Sequence, residues 1–107
     1  MDKVFEALSS TIRRKILAYL SATSMTAGEI ADRFDVAKPT ISKHLSVLEG
    51  AGLVRSERRG QFIHYSLVEA NLVNTLTGFI QEVCPVARPL RRESKAHAKA
   101  RKATGNG

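Results

Sequence analysis

The chain has 107 residues, 43% of them apolar and 25% charged, enough for one small domain with a modest core and too little for two. No apolar run approaches the roughly eighteen residues of a membrane helix, and the composition is not that of a disordered polymer. Seventeen Lys and Arg against ten Asp and Glu leave a net charge of +7, an excess that favours anionic partners such as nucleic acid.

Taken in chain order, Val4, Phe5 and Leu8, then Ile12, Ile16, Leu17 and Leu20, recur at helical spacing and predict two short helices. Ser9, Ser10 and Thr11 separate them, with Ser10 placed to cap the second. After the polar break 21–24, Thr26 and Glu29 stand three apart, the spacing of a capping box at the head of a third helix whose buried face is Ile30 and Phe34. The short connection Asp35-Val36-Ala37 leads to Lys38-Pro39, and proline suits a first helical turn because its missing N–H would be unpaired there anyway. Ala37 has no side chain that can cap, which moves the expected helix boundary to Lys38. From Ile41, the residues Leu45, Leu48 and Gly52 fall on an inner side, while Thr40, Ser42, Lys43 and Ser46 form a small, polar, basic outer side. Gly50 and Gly52 end this fourth helix through left-handed backbone.

Residues 53–58 and 61–67 are rich in strand formers and flank Arg59-Gly60, a hairpin pattern in which Ile63, Tyr65 and Leu67 share one face. Leu72, Val73, Leu76, Phe79, Ile80 and Val83 then return to helical spacing, in a stripe wide for the last helix of a small domain. Residues 1–83 hold ten basic and nine acidic side chains and 84–107 hold seven and one, so the basicity is mostly a tail. That tail lacks large apolar residues beyond Leu90 and is expected to be disordered. The domain organisation is therefore residues 1–83 as the folded unit and 84–107 as a basic tail.

Two short helices joined by three residues, the second with an apolar inner and a polar outer face, describe a helix-turn-helix, and a following hairpin makes it winged. The fold class is mainly α with a β-hairpin wing (α+β), in the order α-α-α-α-β-β-α. A helix entering a major groove about 12 Å wide needs short or flexible donors on its leading outer face. Lys38, Thr40, Ser42, Lys43 and His44 supply them on the recognition helix 38–50. Arg55, Arg58, Arg59 and Gln61 surround the tip of the wing 53–67, where it would meet backbone or minor groove. Arg13, Arg14 and Lys15 form a charge run that reads as a solvated helix face or as further phosphate contacts.

The stretches FEALSSTIRRKIL, MTAGEIADRF, AKPTISKHLSVLEGAGLV and RRGQFIHYSL, in this order over about residues 4–83, resemble the ArsR family of bacterial repressors, and within it the SdpR-like autorepressors. Two positions depart from the pattern: Ser10-Thr11 stands where members commonly have Asp-Pro, and Ala37 where they commonly have Ser. The resemblance implies a homodimer that represses transcription from a pseudo-palindromic operator on double-stranded DNA, with its own promoter among the targets. It also implies dimerisation through the first and last helices, here Val4, Phe5, Leu8, Leu72, Val73, Leu76, Phe79, Ile80 and Val83.

Many relatives in that family sense metals through Cys pairs in the third helix or Asp and His along the last. This third helix has neither Cys nor His, and His44, His64 and His97 do not pair at the i, i+4 spacing that aims two rings at one ion. No metal or cofactor is expected, and no small-molecule effector is identifiable from these residues. The one cysteine, Cys84, excludes an intrachain disulfide and fits a reducing compartment; it is a candidate redox residue should two copies meet across a dimer axis. No export leader is read in the first residues of the chain, so the expected location is the cytoplasm, nucleoid-associated when on DNA. No nucleophile with a base, paired carboxylates or glycine-rich phosphate loop is present, so an enzyme is not expected. The other readings are a winged helix that docks a protein, which would need aromatic or aliphatic anchors on its outer face, and a basic protein that coats DNA without preference.

Overall fold

The computed structural model describes residues 2–84 and Ser94. The elements run α1 (Asp2–Leu8), α2 (Thr11–Leu20), β1 (Met25–Thr26), α3 (Ala27–Phe34), α4 (Lys38–Gly50), β2 (Val54–Arg59) and β3 (Phe62–Leu67), followed by α5 (residues 69–84). The chain divides into two units, Met1–Thr75 and Leu76–Gly107. The division falls inside α5 and not at residue 83, where the apolar stripe ends. Of the second unit, helical residues 76–84 and Ser94 are described; the rest of the expected tail lies outside the described residues.

In the first unit, local chemistry closes most of the helix ends. The Ser10 hydroxyl accepts from the Arg13 N–H at 3.3 Å and starts α2. Thr26 and Glu29 form the expected capping box: the Thr26 hydroxyl accepts from the Glu29 N–H at 3.2 Å, and the Glu29 carboxylate accepts from the Thr26 N–H at 3.0 Å. Those bonds, the backbone one first, hold the Glu29 carboxyl below its ordinary 4.5. α3 ends on Asp35 in left-handed conformation, φ 53°, which Asp tolerates better than most residues.

α4 is preceded by Ala37 as its N-cap residue, in extended conformation and with no side-chain hydrogen bond. The expected shift of the boundary to Lys38 does not occur. Backbone geometry suffices, since the Ala37 carbonyl accepts from Thr40 and Ile41 at 3.0 and 3.4 Å and Pro39 has no N–H to satisfy. At the other end Gly50 is still helical, Ala51 is the right-handed cap, and Gly52 carries the positive φ of 76°. Gly52 therefore lies past the helix rather than on its inner side.

A short strand that hydropathy patterning did not show joins the hairpin. Met25 pairs with Tyr65 and Thr26 with His64, giving a three-stranded antiparallel sheet in the order β1-β3-β2. Two residues cannot display a period of two, so β1 is specified by its partner and by the burial of Met25. The hairpin loop is Gly60-Gln61, one residue later than Arg59-Gly60: Arg59 pairs with Phe62. Gly60 has φ 63° and Gln61 is not left-handed, which matches a turn needing glycine only at its first central position.

The core gathers one side of every element of this unit. Ile16, Ile30, Ile41, Leu45, Leu48 and Leu53 are fully buried, each stabilising the fold by about 1.5–3 kcal/mol on leaving water. Leu8, Ile12, Phe34, Val36, Tyr65, Leu67 and Leu72 pack around them. Tyr65 and Leu67 thus take the inner face expected of them, whereas Ile63, two residues nearer the tip, remains 46% exposed. Asn71 donates to the Gly52 carbonyl at 2.8 Å and so fastens the start of α5 to the turn after α4.

Candidate nucleic-acid interface

With Ile41, Leu45 and Leu48 at 0% exposure, the 100° step of a helix decides where every other α4 side chain goes. Thr40, Lys43 and Ser46 are exposed on the far side, and Val47, 38% exposed, continues that side one turn beyond Lys43. Lys38, the first helical residue, is exposed. Ser42 and His44 are half-buried and leave α4 on opposite flanks, about 200° apart. The outer face is thus centred on Thr40, Lys43 and Val47, with Ser42 and His44 at its margins. Val47 was missed by the sequence reading, yet it is the one large apolar residue of α4 out of phase with the 41/45/48 stripe, and a valine there can meet a thymine methyl. Between Lys38 and Leu48 α4 has no acidic residue; Glu49, at its end, is occupied by the Ser56 hydroxyl at 2.7 Å.

His44 is not a free groove donor on both ring nitrogens. Its Nδ1 lies 3.3 Å from Arg13 Nη1, and burial, then the Arg13 charge, push its pKa below the ordinary 6.5. Arg13 also donates from Nε to the Ala7 carbonyl at 2.8 Å and from Nη2 to the Glu6 carbonyl at 3.1 Å. Arg14 donates to the Leu8 carbonyl at 2.5 Å and the Thr11 hydroxyl at 3.2 Å. Two members of the charge run therefore close the C-terminus of α1, where cations complement the exposed carbonyls, while Lys15 is exposed and makes no hydrogen bond or ion pair among the described residues.

In the wing, Arg55, Arg58, Arg59 and Gln61 are all exposed, but strand alternation separates them. Arg58 pairs with Ile63, and Arg55 and Arg59 with Ser66 and Phe62, so Arg58 lies on one sheet face and the other two on the opposite one. Arg59 is engaged by Glu57 at 3.3 Å, both side chains more than half exposed, an ion pair worth little. Arg58 donates from Nε to the Gly60 carbonyl at 3.3 Å, which holds it at the tip beside Gln61. His64 shares a hollow of about 240 Å³ with Thr26, Glu29 and Phe62, away from the α4 outer face. Among the described residues no three His, Cys, Asp or Glu side chains are grouped to hold a metal ion.

A helix-turn-helix domain model matches residues 8–57, which spans α2 to the middle of β2. The chain is 45% identical over 85 residues to the transcriptional repressor SdpR of Bacillus subtilis (strain 168), covering 77% of this chain and 94% of that protein. It also superposes on an ArsR-like transcriptional regulator from Rhodococcus sp. RHA1 with a TM-score of 0.79 and 32% identity, over 89% and 90% of the two chains. The chain belongs to the ArsR family of winged helix-turn-helix transcriptional regulators. A possible ArsR-family regulator from Mycobacterium bovis, described as a homodimeric winged helix-turn-helix DNA-binding domain, shares the fold at a TM-score of 0.63 and 24% identity. This ArsR-family chain is thus of a family of transcriptional regulators and not of enzymes.

The residues expected to pair two copies fall into two groups. Val4 is 6% exposed within its own core, where Leu8 and Leu72 also pack, and Phe5 is half-buried. Val73, Phe79, Ile80 and Val83 on α5 are 51%, 41%, 57% and 43% exposed; Leu76 and Cys84 are half-buried.

Proposed function

We propose that this ArsR-family chain is a homodimeric, sequence-specific repressor that lays α4 in the major groove. The observation that carries the reading is the outer face of α4, on which Thr40 and Lys43 stand exposed with no carboxylate from Lys38 to Leu48. Thr40, Lys43 and the margin residue Ser42 reach base edges or adjoining phosphates, and Lys38 a phosphate at the helix head. Arg58 and Gln61 touch backbone or minor groove through the wing tip, with Arg55 and Arg59 on the other sheet face. Two copies pair through the exposed apolar residues of α5 with Phe5 of α1, which spaces two α4 helices about one DNA turn, 34–36 Å, apart on a pseudo-palindromic operator. Bound there, the dimer excludes polymerase, and its own promoter is among its targets. The place of action is the cytoplasm, on the nucleoid; in keeping with it, no helix among the described residues is long and apolar enough to cross a membrane.

Fluorescence anisotropy on the gene's own upstream duplex and on a scrambled one, at one near-physiological salt, tests this. A preference of about a thousandfold or more is expected. Equal weak binding to both duplexes, and to sequences selected from random DNA, would overturn it in favour of a DNA-coating protein. No DNA binding at all would favour a protein-docking winged helix.

A further inference from the structure

The guanidinium of Arg13 makes three contacts with one shape: Ala7 O at 2.8 Å, Glu6 O at 3.1 Å and His44 Nδ1 at 3.3 Å. Two belong to the end of α1 and the third to the reading helix. Guanidinium has donors only and is never deprotonated in a protein. Nδ1 of His44 must therefore accept, which leaves it bare and puts the single ring proton on Nε2. Nε2 lies across the ring from Nδ1, on the edge turned away from Arg13, and no described residue accepts from it. His44 sits at the margin of the α4 face that carries Thr40 and Lys43.

From this arrangement we propose that Arg13 is a positioning residue for DNA reading: it fixes His44 in the Nε2–H tautomer and aims that one donor at an acceptor of the bound duplex, a phosphate oxygen or a base-edge N7 or O6. The inference rests on the placement of α4 in the groove proposed above. A histidine free of Arg13 would interchange tautomers and rotate, and part of its donor population would be spent on the wrong edge. Held as it is, the ring presents a donor to DNA with no proton to rearrange, and Arg13 stands behind it as a charge that touches no phosphate itself.

Two measurements decide it. In long-range ¹H–¹⁵N spectra of the free full-length protein near neutral pH, His44 is expected wholly as Nε2–H in the wild type, with an Nδ1–H form appearing in Arg13→Met. An Nδ1–H form in the wild type, or none in the variant, would overturn the proposal. On a duplex selected from random DNA by the wild-type protein, Arg13→Met and His44→Ala are each expected to weaken binding about tenfold, and the double variant no more than about twofold beyond either. Losses that multiply would show two independent roles and overturn it. His44→Gln, whose amide can present a donor near the Nε2 position, should recover part of the affinity lost in His44→Ala, and Arg13→Lys, keeping charge without the fork, guards against loss of fold. Wild-type protein that selects no sequence would instead sink the DNA reading on which this rests, an outcome distinct from wild-type binding without coupling.

Discussion

The two helices of the helix-turn-helix begin in opposite ways. α3 is closed at its N-terminus by reciprocal bonds between Thr26 and Glu29, with a carboxylate set against the positive end of the helix. α4 follows its N-cap Ala37 with no side-chain bond and no acidic residue in its first turn. The supporting helix thus has its first turn closed by side chains, whereas α4 relies on backbone alone, the Ala37 carbonyl accepting from Thr40 and Ile41. Side-chain capping and backbone closure are divided between neighbouring helices three residues apart.

The largest way to break this division is to remove what both helices share. Leu45→Ala empties a site at 0% exposure between α4 and the rest of the core and is expected to cost about 2–5 kcal/mol in urea unfolding. A value near zero would mean that α4 is held by its ends and not by its inner face. The next effect is on function and should leave the fold alone: Lys43→Ala and Thr40→Ala should each weaken selected DNA by about 1–3 kcal/mol with unchanged thermal unfolding and unchanged dimer mass. Unaltered affinity in both would remove α4's outer face from the interface. Val47→Ala belongs to the same test. If Val47 meets a thymine methyl, its loss relaxes preference at one base pair more than it lowers affinity on average.

Much of this frame is legible in sequence, for reasons that differ from residue to residue. Ser10, Thr26 and Glu29 act within three residues of themselves, and Ile41, Leu45 and Leu48 report a period that only a helix satisfies, so local reading finds them. Tyr65 and Leu67 show their inner face by alternation. The family resemblance rests on four motifs that lie within these elements, which is why it survives the missing cap at Ala37. The features that escaped depend on pairing across distance. β1 is too short for a pattern and exists because Met25 meets Tyr65. The one-residue shift of the hairpin loop brings Arg59 into β2 opposite Phe62, where alternation sets it on the face of Arg55 and away from Arg58. Arg13 reads as a surface cation until folding brings the end of α1 and His44 within its reach.

Smaller effects sharpen the contrast between the two helix starts. Thr26→Ala removes one half of the capping box and should cost about 0.5–2 kcal/mol, whereas Ala37→Ser supplies α4 with the cap it lacks and should stabilise by up to a similar amount. Both are read in the same urea titration. A neutral Ala37→Ser would mean that the extended backbone at residue 37 cannot turn a hydroxyl onto the first turn of α4.

The smallest expected effect is the acid response, and it separates the helices by pH. Both Glu29 and His44 have pKa values lowered by folding, Glu29 from 4.5 chiefly through the Thr26 N–H and His44 from 6.5 chiefly through burial. For either group the unfolded chain binds more protons in the window between its unfolded and folded values, so stability falls as pH falls through that window and not above it. The His44 contribution is complete above 6.5 and is lost as pH drops through its folded value; that of Glu29 is complete above 4.5 and lost below it. Acidification should therefore begin to destabilise through His44 below 6.5 and through Glu29 only below 4.5. Glu29→Gln should remove the lower step and leave the upper one, and His44→Ala the reverse. A single step, abolished by Glu29→Gln alone, would mean that Arg13 and His44 tolerate the extra proton by moving apart, and acid sensitivity would then belong to the supporting helix alone.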